Sequence, residues 1–142
     1  MTCTINASTS SSAIVQTADG SGVLKVQSNG VTTNALAWVN FNGTTSPGTI
    51  RSQYNVSSVT KNGTGDYTVN YANALTDANY AFALSSQGDA APTPDAAVDI
   101  IGVSRRVATS SAITTTSIRI QNSTNALTAV DSQSISAIIF GN

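Results

Sequence analysis

The stretch Tyr54-Asn55-Val56-Ser57-Ser58-Val59-Thr60-Lys61-Asn62-Gly63-Thr64-Gly65-Asp66-Tyr67-Thr68-Val69-Asn70-Tyr71 decides the class of fold. In its second half Tyr67, Val69 and Tyr71 alternate with Thr68 and Asn70. A period of two belongs to a strand with one buried face. In its first half Tyr54 and Val56 share one parity and Val59 has the other, so an extra residue at Ser57-Ser58 predicts a β-bulge. Between the halves, Lys61 to Asp66 supplies Asn and Gly, which tolerate the positive φ of a tight hairpin loop. The stretch therefore predicts a hairpin from Tyr54 to Tyr71.

Working outward toward the start, Leu36 to Phe41 predicts a strand with Trp38 in its middle, then a loop over Asn42 to Gly48 and a resumed strand at Thr49-Ile50-Arg51. The single Trp is expected to anchor the core or a subunit interface, with carbohydrate stacking as the alternative. Before it, Ile5, Ala13-Ile14-Val15 and Val23 to Val26 are short apolar clusters in a polar background, punctuated by Asp19-Gly20 and Asn29-Gly30. They predict brief strands: either an N-terminal arm over residues 1–35 or part of the main sheet.

Toward the end, Asn73 to Asn79 predicts a turn with room for one helical turn. Tyr80, Phe82 and Leu84 alternate with Ala81 and Ala83, a strand with a large face and a small face that would let another layer approach. Gly88 to Pro94 is a loop, because Pro92 and Pro94 cannot sit in a central strand. Val98 to Val103 and Ile113 to Gln121 predict strands, Asn122 to Asn125 a turn, and Ser134 to Phe140 a closing strand. Eight to ten short strands at regular spacing predict an all-β fold, an antiparallel β-sandwich or jelly roll over residues 36–142, with an N-terminal arm of short strands.

Composition agrees and excludes the rest. The 142 residues suit one domain, or one domain with a tail. Val, Ile and Thr account for 43 residues against five Leu and no Glu, which argues against a helical bundle. Only 9% of residues are charged and the formal net charge is −1. A surface of hydroxyls and amides suits a fibre or shell, and six scattered basic residues leave no nucleic-acid footprint. The Arg105-Arg106 doublet is expected to pair with Asp95 and Asp99 rather than bind phosphate. No apolar run approaches a membrane span, and no signal peptide is expected at Met1 to Ile5.

Catalysis is not expected. Without His there is no Ser–His–Asp or Cys–His arrangement, and with one Cys (Cys3) there is neither an internal disulfide nor a Cys/His zinc site. Paired-carboxylate hydrolysis would need two of the seven Asp; Asp95 and Asp99, with Asp89, form the one plausible set, and solvated loop carboxylates are the simpler expectation. No phosphate loop or EF-hand spacing is present, so no cofactor or metal is expected. The acceptor-like triplets at Asn6, Asn55 and Asn62 are expected by chance in a chain with 20 Ser and 20 Thr.

The segment Trp38-Val39-Asn40-Phe41-Asn42-Gly43-Thr44, then Ile50-Arg51, the hairpin from Tyr54 to Tyr71, and Asp77-Ala78-Asn79-Tyr80 resemble the module of tail-fibre and other virion appendage proteins of tailed bacteriophages. In that module a Trp-Val-Asn-Phe strand precedes an Asn-Gly-Thr-Gly hairpin of this kind. The likeness covers roughly half of the chain. It implies a homotrimer in the virion that contacts other virion proteins, without catalysis, as a short tail fibre, head fibre or decoration protein. The loops Asn42 to Gly48, Lys61 to Asp66 and Gln87 to Pro94 would then meet a virion neighbour or a host surface glycan. A carbohydrate-binding host adhesin, stacking sugar on Trp38 or a tyrosine, is the alternative.

Overall fold

The computed structural model describes residues 27–28, 31–32, 34–87, 100–104, 113–124 and 128–141. Among them are ten strands and no helix: β1 Gln27–Ser28, β2 Val31–Thr32, β3 Ala35–Asn42, β4 Thr49–Tyr54, β5 Val56–Gly63, β6 Asp66–Tyr71, β7 Ala81–Gln87, β8 Ile100–Ser104, β9 Ser117–Thr124 and β10 Ser134–Phe140. β1 and β2 form a short antiparallel ladder. The other eight make two four-stranded antiparallel sheets, β4-β3-β10-β7 and β5-β6-β9-β8. The all-β sandwich expected from the sequence is the fold of the described chain.

Its core lies between the sheets. Ala37, Val39 and Phe41 of β3 and Ile135, Ala137 and Ile139 of β10 point inward from the first sheet. Val56 and Val59 of β5, Tyr67, Val69 and Tyr71 of β6, and Ile118 and Ile120 of β9 meet them from the second. Phe41 and Tyr67 pack edge to face with ring centroids 5.2 Å apart, a geometry worth about 0.5–1.5 kcal/mol beyond the area it buries. Leu36, Leu75 and Tyr80 close one end, where the Tyr71 and Tyr80 rings meet at 6.1 Å.

The central hairpin forms as β5 and β6, and the register shifts between Val56 and Ser58, where the bulge was expected. Val56 and Val59 thereby both reach the core despite their opposite parity. Tyr54 is a correction. It belongs to β4 in the other sheet, because the chain switches sheets at Asn55, whose φ is 52°. Asn tolerates this left-handed conformation better than other residues with a Cβ. The Asn55 amide holds the corner by donating to the carbonyls of Leu36 (3.1 Å) and Asn73 (3.2 Å) and accepting from the Asn73 amide (2.8 Å).

Three further expectations need correction. Residues 73–79 contain bends and no helical turn; the Asp77 carboxylate accepts the Asn79 amide at 2.7 Å and shapes the corner. β9 begins at Ser117, with Ile113 only bridged to Ile118. Asn122, Ser123 and Thr124 continue that strand instead of turning, because Asn122 finds buried partners for its side chain. The apolar clusters at Ile5, Ala13 to Val15 and Val23 to Val26, the loop 88–94, Arg105-Arg106 and Cys3 lie outside the described residues, as does most of the N-terminal arm.

Candidate interaction surfaces

At one end of the sandwich, three segments distant in sequence are tied around Asp131. Its carboxylate accepts from the Lys61 ammonium (2.7 Å), the Gly65 amide (2.9 Å) and the Tyr67 hydroxyl. Tyr67 also lies 3.0 Å from the Gly43 carbonyl, and the Gly43 amide donates to the Ser132 carbonyl at 2.8 Å. A Cβ on Gly43 would sit 2.5 Å from the Tyr67 hydroxyl, so this close approach needs glycine. Asn122 extends the set inward: its side-chain amide donates to Val130 O (2.9 Å) and Ser132 Oγ (2.8 Å), and its carbonyl accepts from Ser86 (2.7 Å). The loops after β3 and after β5 are thus fastened to the segment before β10.

The electrostatics follow from that packing. Burial alone raises the Asp131 carboxyl, but the Gly65 amide, the Lys61 ammonium and the Tyr67 hydroxyl outweigh it and hold the group below its ordinary value. Burial, with the carboxylate beside it, pushes the Tyr67 hydroxyl far up, so Tyr67 stays a proton donor. Nearby, Asp66 takes a bidentate pair from Arg119 at 2.8 and 2.7 Å, which raises the guanidinium further. These groups hold each other in place; the arrangement is one of fixed loops.

The second surface is the outer face of the sheet β4-β3-β10-β7. Trp38 is opposite Tyr54 on one side and Ile138 on the other, and Ile138 is opposite Ala83. Residues directly opposite in an antiparallel ladder share a face. The row Tyr54, Trp38, Ile138, Ala83 therefore crosses all four strands on the side facing away from Ala37 and Val39. Tyr54 is 36%, Ile138 40% and Phe140 39% exposed. Trp38 is half-buried on this face and takes no part in the core, so the expectation of a core anchor is overturned for this residue. Of the four tyrosines, Tyr67, Tyr71 and Tyr80 are buried within the chain itself.

The next row on that face is polar: Asn40 is opposite Ser52 and Ser136, and its amide donates to Ser134 (3.1 Å) and Ser136 (2.9 Å). The only charged residue in these four strands is Arg51, the extra residue of a bulge between Ile50 and Ser52. The outer face of the other sheet is different in kind. There Asn70 bonds Ser58 and Thr60, Asn62 bonds Thr68, and Asp66 pairs with Arg119.

Of the expected contact loops, the structure brings Asn42 to Gly48 and Lys61 to Asp66 together, while only Gln87 of the third is described. Asp19, Asp89, Asp95 and Asp99 lie outside the described residues. Among the described residues, no three acidic or Cys side chains gather to hold a metal, and no helix is long and apolar enough to cross a membrane. Sequence reasoning missed Asp131, whose partners are 64 to 70 residues away along the chain, and nothing local to Asp131 signals them. In comparisons with known proteins, no family model, curated protein or solved structure matches the chain.

Proposed function

We propose that the chain is a non-enzymatic structural protein of a tailed-phage virion, a short tail fibre, head fibre or decoration protein, working as a homotrimer that displays fixed loops. The observation that carries this reading is the Asp131 clamp, which fastens the Gly43 and Gly65 loops to the segment before β10. Loops fixed before contact pay little ordering entropy when they meet a partner. The resemblance of Trp38 to Thr44 and of the central hairpin to virion appendage modules supports a virion location. The three described carboxylates are committed to structure: Asp66 pairs with Arg119, Asp131 with Lys61, and Asp77 shapes its own turn.

Mass spectrometry of purified virions of the encoding phage tests the proposal. Peptides of this chain in amounts comparable to known appendage proteins are expected. Their absence from particles, with the chain abundant in the lysate, would sink it. A second reading, a carbohydrate-binding host adhesin, has one observation on its side: Trp38 stands beside Tyr54 on an outer face. Binding to a glycan array that is lost in a folded Trp38→Ala variant would establish it.

A further inference from the structure

We infer that the outer face of the sheet β4-β3-β10-β7 is the surface on which identical copies of this chain meet, the bulky half of one face against the small half of the next. This rests on the oligomeric part of the proposal above and assigns it a surface. One row runs from large to small across the four strands: Tyr54 and Trp38 at one side, Ile138 in the middle, Ala83 at the other. Phe140, opposite Ala81, extends the apolar area along β10. The alanines of β7 are exposed, so among the described residues no layer lies over the small face expected from the alternation of β7.

Four strands about 4.8 Å apart and seven residues of about 3.4 Å each make a face of roughly 450 Å² in plane. Its apolar part, the row from Tyr54 to Ala83 with Phe140 and Ala81, is smaller than the whole, because the Asn40 row is polar. In the half-on-half arrangement each contact covers half of two such faces, roughly 450 Å² in plane before side-chain relief is added, and in a ring each copy is held by two such contacts.

The chemistry of the face selects the occupant. A partner bearing charges would have to leave them desolvated and unpaired against four strands whose only charge is Arg51. A second copy of the same four strands brings only Arg51 as a charge, and it brings the shape that is missing, a large side chain for the alanines. A glycan needs convergent amide and hydroxyl groups beside its stacking ring, yet the Asn40 amide is already spent on Ser134 and Ser136. Large half on small half is a heterologous contact, and such contacts close into a ring when the rotation allows. A three-membered ring satisfies both halves of every face.

The test is the mass of the purified full chain in solution by light scattering over a dilution series, with Ile138→Lys and Ala83→Arg as variants at exposed positions. The wild type is expected at three chain masses and each variant at one, 14.4 kDa, with unchanged circular dichroism. In a Cys3→Ser background, Tyr54→Cys combined with Ala83→Cys is expected to give disulfide-linked ladders. The two positions are three strands apart, about 14 Å, within one chain, too far for an internal bond. A wild type that is monomeric at every concentration overturns the inference, and sugar binding by that monomer would assign the face to a glycan instead. An oligomer that survives both substitutions and gives no ladder overturns it as well. Should the substitutions unfold the chain, the ladder alone decides. Loss of the oligomer leaves virion membership standing, whereas an intact oligomer absent from particles sinks only the virion assignment.

Discussion

Tyr67 and Tyr71 are four residues apart on the same strand and face, yet their hydroxyls have opposite energetic roles. The Tyr67 hydroxyl reaches both the Gly43 carbonyl and Asp131. The Tyr71 hydroxyl is buried with only the Tyr80 hydroxyl beside it and makes no well-formed hydrogen bond. A buried polar group left unpaired costs about 1–3 kcal/mol, whereas deleting one that had no partner removes a penalty. Tyr67→Phe strips a donor from a partly buried carboxylate and is expected to lower stability by about 1–3 kcal/mol. Tyr71→Phe is expected to be neutral or to raise stability by up to about 1 kcal/mol. Urea midpoints of the two variants measure the contrast; equal losses would show that the Asp131 clamp does not bear on stability.

Within the central hairpin, two glycines stand two residues apart in different surroundings. Gly65 has φ +65°, and a Cβ there would lie 2.3 Å from the Asn122 carbonyl oxygen and 2.8 Å from the Val130 amide. Both obstacles are backbone, so neither can swing aside. Gly65→Ala should therefore cost about 2 kcal/mol or more, combining left-handed strain with the clash. Gly63 has nothing within 4 Å of the same position, and Gly63→Ala should be neutral or stabilise by about 0.4–1 kcal/mol. Thermal melts of both variants check the pair; similar losses would contradict the registration of the hairpin against β9. This element was legible in the sequence because its cues are local: alternation in Tyr67 to Tyr71, a parity slip at Ser57-Ser58, and Asn and Gly in the turn. The Asn55 corner was not, because one residue switching sheets looks like the next residue of a strand. Asn122 to Thr124 resembled a turn because their polarity is satisfied by Val130 and Ser132, contacts that no local pattern announces. The side taken by Trp38 was equally hidden, since both parities of β3 carry apolar residues and only pairing with Tyr54 and Ile138 reveals which is outward.

For the molecule as a whole, the absence of His and Glu combines with the directions in which the packed groups are shifted. Asp131 is held below its ordinary value, so its contribution to stability is fully present above the unfolded carboxyl value near 3.9 and fades as pH falls through the folded one. Burial raises the Tyr67, Tyr71 and Tyr80 hydroxyls, so the folded state resists their ionisation. Their contribution is fully present below the unfolded tyrosine value near 10 and is lost as pH climbs beyond it, because the unfolded chain can release protons that the native chain cannot. No side chain outside those two groups titrates strongly in between, apart from Cys3 and the terminal amine. Stability should accordingly form a plateau from about pH 5 to about pH 9, with an acid shoulder from Asp131 and a steeper alkaline edge from three tyrosines. Urea midpoints taken at unit steps of pH trace the curve. In Tyr67→Phe the alkaline edge should become shallower, because one of the three shifted hydroxyls is gone. A change of midpoint between pH 6 and pH 7 as large as that beyond pH 10 would mean that the three buried hydroxyls do not set the alkaline limit of the fold.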